Sequence, residues 1–167
     1  GYNFSYLSFL GWNYDLSTFT TDYNTLWIPD TLSGTNFSLR IHDTVKQYLN
    51  GLATNTSAYN NNSILGPTLI FNKGTTVRMH VKNDLPDTTT VHWHGMHLPA
   101  IMDGGPHQVI APDTQWNPTW VVKNNAATYW YHPHLHMKTS QQLTQGLAGL
   151  IIVRDESESA LNLPRTY

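Results

Sequence analysis

Two His-x-His pairs limit what this chain can become more than any other feature. The first lies in Val91-His92-Trp93-His94-Gly95, the second in Tyr129-Trp130-Tyr131-His132-Pro133-His134-Leu135-His136. Successive side chains on a β-strand point to opposite faces, so an extended backbone puts His92 and His94 on one face and Trp93 on the other. The same rule groups His132 with His134 and sends Tyr131, Pro133 and Leu135 the other way. Two such strands side by side offer four imidazoles to one place. Neutral imidazoles add little to a hydrophobic core but suit copper or zinc. A lone strand histidine is ordinarily exposed or hydrogen-bonded; two independent pairs favour a metal held by His92, His94, His132 and His134.

The strand signal recurs along the chain. Phe37, Leu39 and Ile41 alternate with Ser38, Arg40 and His42, and Val77, Met79 and Val81 alternate with Arg78, His80 and Lys82. Thr68 to Phe71, Thr89 to Met96, Gln115 to Val122 and Thr128 to His134 read as further strands, with Asn72-Lys73-Gly74 as a turn. Leu147 to Val153 is a nearly continuous apolar run, as expected of a strand buried on both faces. Asn50 to Ser63 has the composition of a surface loop, Lys138 to Gln145 that of a short helix or loop, and Asp155 to Leu163 suits one or two helical turns. Many short strands punctuated by Gly and Pro imply an all-β fold, an antiparallel sandwich or barrel. His42 and His80 fall on polar strand faces and His97 and His107 in loop sequence, so all four are expected at the surface. Trp93 and Trp130 are expected in the core.

A length of 167 residues suits one domain with a full-sized core. Residues 1–30 read as an N-terminal arm, 31–160 as the domain carrying both histidine motifs, and 161–167 as the start of an interdomain linker. Its first 27 residues are rich in aromatics (Tyr2, Phe4, Tyr6, Phe9, Trp12, Tyr14, Phe19, Tyr23, Trp27) and carry only Asp15 and Asp22 as charges, so the arm is expected to pack on the domain or a neighbour. A net charge of −2 without a basic run argues against nucleic acid or an anionic membrane surface as the main partner. No apolar run is long enough to cross a bilayer, and no signal peptide opens the chain. The absence of cysteine excludes disulfides and thiolate metal sites from this chain.

Four ordered blocks carry a family resemblance: Thr90 to Met96, Met102-Asp103-Gly104-Gly105-Pro106, Ala126 to His134, and Gly146 to Val153. In order and spacing they resemble the first cupredoxin domain of multicopper oxidases, most closely the bacterial branch of laccase-like enzymes, spore-coat oxidases and periplasmic cuprous oxidases. The likeness covers Ser63 to Tyr167. It implies a cupredoxin-like Greek-key β-sandwich or barrel, with Leu163 to Tyr167 leading toward a second cupredoxin domain. Enzymes of that family take electrons at a type 1 copper, whose ligands include a cysteine, and pass them to a trinuclear cluster that reduces dioxygen to water. Without cysteine this chain has no type 1 copper. By resemblance His92 would bind the type 2 copper and His94, His132 and His134 the type 3 pair, the other four histidines coming from the last domain. Asp103 matches an acidic residue kept near the cluster in the cuprous-oxidase branch, where it could deliver protons; Asp-Gly-Gly is equally a good turn. His136 is an outer-shell or exposed residue by the same comparison. The resemblance also implies an exported protein, periplasmic or extracellular, with the signal absent from this chain.

Three functions follow. The chain is the cluster-bearing first domain of a copper oxidase, incomplete without its second and third cupredoxin domains; or it is a homo-oligomer that rebuilds a multi-copper site from histidines of several copies; or it is a mononuclear zinc or copper site that activates water.

Overall fold

The computed structural model describes residues 26–162, so the aromatic stretch up to residue 25 and the expected linker residues 163–167 lie outside it. Two sheets form the body. One runs β1 (Thr31–Ser33), β4 (Thr68–Asn72), β10 (Gly149–Arg154), β9 (Ala127–His132), β6 (His92–His94). The other runs β3 (Leu52–Tyr59), β2 (Asn36–Leu49), β5 (Thr76–Asn83), β7 (Gln115–Trp116), with β8 (Thr119–Val121) also pairing with β5.

The alternation read from the sequence sets the inner faces. Phe37, Leu39 and Ile41 of β2 and Val77, Met79 and Val81 of β5 are buried, facing Leu69 and Phe71 of β4 and Ile151 and Val153 of β10. Aromatic rings join the layers: Phe37 meets Phe71 edge-on at 5.0 Å between ring centres, and Trp120 of β8 lies 5.2 Å from Trp93 of β6. Such contacts add to the area they bury, and they anchor the middle residue of the first His-x-His pair in the core.

Several expectations need correction. The sheets are mixed rather than antiparallel: β2 with β5, β1 with β4, and β4 with β10 are parallel pairs. The stretch read as a loop over Asn50 to Ser63 contains β3, which pairs antiparallel with β2 from Ile41↔Tyr59 to Leu49↔Leu52. The strand expected over Gln115 to Val122 divides into β7 and β8 around Asn117-Pro118, because proline has no N–H for the ladder. The Leu147 to Val153 run is buried on one face only: Ile151 and Val153 point inward, while Leu150 is 46% exposed. The expected strand over Thr89 to Met96 is regular only across His92–His94, with Thr89 making an isolated bridge to Ile110. The short helices fall where the composition put them, α1 at Thr139–Thr144 and α2 at Ser157–Ala160.

Candidate metal centre

β6 is an edge strand, and it meets β9 in antiparallel register with His92 opposite His132, Trp93 opposite Tyr131, and His94 opposite Trp130. Trp93 and Tyr131 therefore share the inner face and are fully buried, which leaves the histidines on the outer face. His92, His94 and His132 each offer a nitrogen within 4.8 Å of the others. Pro133 ends β9, so His134 does not continue the strand face as expected. Its ring still lies 5.2 Å from that of His92, because its backbone N–H donates to the buried Thr90 hydroxyl at 2.6 Å.

Hydrogen bonds fix two ring tautomers. The Nδ1–H of His92 donates to the Asp103 carbonyl oxygen at 2.8 Å, and that of His132 donates to the Pro133 carbonyl oxygen at 2.8 Å. A carbonyl only accepts, so in both rings Nε2 keeps its lone pair for a cation. His94 Nδ1 and His132 Nε2 face each other at 3.1 Å. Two nitrogens bound ~2.0 Å from one tetrahedral ion stand ~3.3 Å apart, so the pair is close to a ligand spacing. Burial, which opposes charge, holds the His132 imidazole below its usual range, aided by the neighbouring rings and against its bond to Pro133. The neutral ligand form is thereby favoured. Borderline donors with preset lone pairs on an open face fit copper or zinc.

Asp103 reaches the site through two atoms. Its carbonyl oxygen accepts from His92, and its carboxylate Oδ1 lies 3.2 Å from the same Nδ1, buried but without a hydrogen bond of its own. Nδ1 carries one hydrogen, and the shorter contact takes it. Burial raises the Asp103 carboxyl above the usual aspartate range, against the neighbouring imidazoles, His92 foremost, which act to lower it. Gly104 makes this approach possible: at φ +69° its backbone presses so close to β6 that an added Cβ would sit 1.7 Å from the Val91 carbonyl oxygen. On the other side of β6 the turn at Gly95, φ +84°, is pinned by buried Asn124, which donates to the Gly95 carbonyl and accepts from the His97 N–H.

The remaining histidines stay apart. His136 is exposed in the turn after His134 and outside the group. His97 and His107 are exposed, and His80 is exposed on β5 with Nδ1 on the Asn117 side chain, as expected. His42 is half-buried, its Nε2 against the Asn60 carbonyl. Trp130 was expected in the core and is not there. It is half-buried on the histidine face, stacked on His132 at 4.0 Å between ring centres. The period-2 rule that grouped the histidines already puts position 130 with position 132. Thr90, Asn124 and Gln142, which hold the flanking loops, carried no sequence signal beyond being ordinary polar residues.

Comparison with known proteins agrees with this geometry. A family model described as multicopper oxidase matches residues 42–158. The multicopper oxidase of Staphylococcus aureus is 39% identical over 132 residues, covering 79% of this chain and 29% of that protein. The cell division protein FtsP of Escherichia coli is 36% identical over 107 residues, covering 64% of this chain and 23% of its own length. A bacterial laccase-like multi-copper oxidase from the lignin-degrading Ochrobactrum sp. superposes with a TM-score of 0.80 at 34% identity, over 85% of this chain and 32% of that one. The chain thus spans about a third or less of the length of these relatives, its fold is cupredoxin-like, and it belongs to the multicopper oxidase family.

Proposed function

We propose that this chain is the part of a copper oxidase that supplies one half of a trinuclear copper cluster, with His92 as a type 2 ligand and His94, His132 and His134 as type 3 ligands. The observation that carries the reading is the convergence of His92, His94 and His132 nitrogens within 4.8 Å on an open sheet face, with the His134 ring alongside. Copper, when bound, supplies the electron transfer by which dioxygen is reduced to water. The chain's own residues orient and protonate. The Asp103 carbonyl and the Pro133 carbonyl hold His92 and His132 with Nε2 outward, and Thr90 holds the backbone of His134. The Asp103 carboxyl, its Oδ1 3.2 Å from His92 Nδ1, is the group placed to relay protons toward dioxygen as it is reduced.

His94 and His134 are exposed, so the face presents ligands outward, which supports completion by further domains of a longer oxidase. With no cysteine there is no type 1 copper in this chain, and the reductant binds elsewhere in the assembly. Among the described residues no helix is long and apolar enough to cross a membrane. An exported, periplasmic or extracellular location accords with the family reading.

The test is copper stoichiometry per chain, with solution mass by light scattering on the same sample. One copper or less on a monomer supports the half-site, and His94→Ala then lowers copper affinity by at least roughly 10-fold. More than one copper per chain, appearing only with dimers or trimers, favours the homo-oligomeric site instead. Retention of zinc over copper, with no change in His94→Ala, overturns the reading.

A further inference from the structure

We infer that Trp130 is a positioning residue of the metal centre, an aromatic plate that fixes the His132 and His94 rings before any metal arrives; this rests on the copper reading above.

The three grouped histidines are not restrained in the same way. His92 is half-buried, bonded to the Asp103 carbonyl and shielded by the Asp103-Gly104 backbone. His94 is exposed, and among the described residues its ring hydrogen-bonds only to His132, itself one of the group. His132 is buried and bonded to a carbonyl one residue along its own chain, which sets its tautomer but ties it to no other strand. Among the described residues no hydrogen bond ties either ring to a neighbouring strand outside the cluster.

Trp130 fills that role by stacking. It stands two residues before His132 on the same face of β9 and directly across from His94 on β6. Its ring lies 4.0 Å from the His132 ring at 29° and 5.1 Å from the His94 ring at 31°. One indole therefore covers both imidazoles whose nitrogens face each other at 3.1 Å. Core packing does not account for it: Trp130 is absent from the hydrophobic core and from the half-buried residues packed against it, which include the adjacent Tyr129. A two-torsion aromatic is also a rigid wall, so the rings it covers keep few alternative orientations. Preorganising ligands in this way raises affinity by removing the ordering cost of binding.

The experiment compares the full 167-residue chain with its Trp130→Leu and Trp130→Phe variants. Copper affinity is measured by competition with a chromophoric chelator, the copper signal by electron paramagnetic resonance, and the metal-free melting temperature by circular dichroism. Trp130→Leu should bind copper about 10-fold more weakly, the usual scale for losing an outer-shell partner, with a broadened resonance signal. Trp130→Phe should restore most of the affinity, and the metal-free melting temperatures should stay close to that of the parent. Equal affinity in parent and Trp130→Leu overturns the positioning role while leaving the copper reading intact. A parent chain that binds no copper overturns both. Loss of affinity matched by a large fall in melting temperature in both variants also overturns it, since Trp130 would then be a folding residue.

Discussion

The position of one backbone oxygen decides how His92 presents itself, and Gly104 decides the position of that oxygen. With φ at +69° and the Val91 carbonyl 1.7 Å from where a Cβ would be, no side chain fits at 104 without moving the backbone. Gly104→Ala should cost about 1–3 kcal/mol of stability and weaken copper binding about 10-fold as the Asp103 carbonyl leaves His92 Nδ1. The neighbouring Gly105→Ala is the control. Its Cβ would meet only the Gln108 side chain at 3.5 Å, so denaturant melts and copper titrations should leave it near the parent. If the two variants behave alike, the close approach at 104 is not what sets the site. At this scale the grouping of His92, His94 and His132 on one face was legible because strand alternation is a local rule. Trp130 was equally legible by that rule, but its hydrophobicity suggested the core, and hydrophobic residues are not confined to the interior. The Asp103 contact was not legible, because His92 bonds to its main chain and any residue type has a carbonyl.

α1 shows how an element too short to stand alone is recruited to the site. Its six residues have no side-chain N-cap, and a helix of this length is unstable in isolation. Buried Gln142 fixes it: Nε2 donates to the Thr88 carbonyl at 2.9 Å and Oε1 accepts from the Thr89 hydroxyl at 2.9 Å. Lys138 pairs with Asp87 alongside, and His134 bonds to Thr90. The loop carrying His134 is thereby clamped to the segment that enters β6, so both histidine motifs share one frame. Gln142→Ala would remove the bond to the half-buried Thr88 carbonyl and leave the buried Thr89 hydroxyl only its longer contact to the Thr90 carbonyl at 3.3 Å, costing about 1–3 kcal/mol in urea unfolding. Lys138→Ala, which removes a partly exposed ion pair, should cost less than about 1 kcal/mol. A larger loss from Lys138→Ala would place the clamp in the ion pair. The sequence hid two features at this level for the same reason, that pairing partners are distant in the chain. β3 looked like a loop because Leu52 to Tyr59 is rich in Thr, Asn and Ser, and it is a strand because β2 offers it a continuous ladder. The parallel pairing of β2 with β5 leaves no trace in either strand's alternation.

For the molecule as a whole, charge is spread among small local contacts, and acid tests them together. Asp84 is held below the usual aspartate range first by its hydrogen bond to Arg40, Asp87 first by Lys138, and Asp155 first by the Ser157 hydroxyl. These three carboxylates join separate parts of the chain: β2 to the end of β5, α1 to the approach to β6, and the start of α2 to Ala126. Each folded value lies below the unfolded one, so the unfolded chain binds more protons in the window between them. Their stabilisation is therefore fully present above the usual aspartate value of 3.8 and is lost as pH falls through the lowered folded values. Urea midpoints of the metal-free protein should fall as pH drops below about 4. Asp87→Asn should flatten that slope and lower the midpoint at neutral pH only slightly, because the pair is exposed to solvent. An unchanged acid slope in Asp87→Asn would remove this carboxylate from the acid response, and the loss of stability would then have to come from other carboxylates, Asp84 and Asp155 among them.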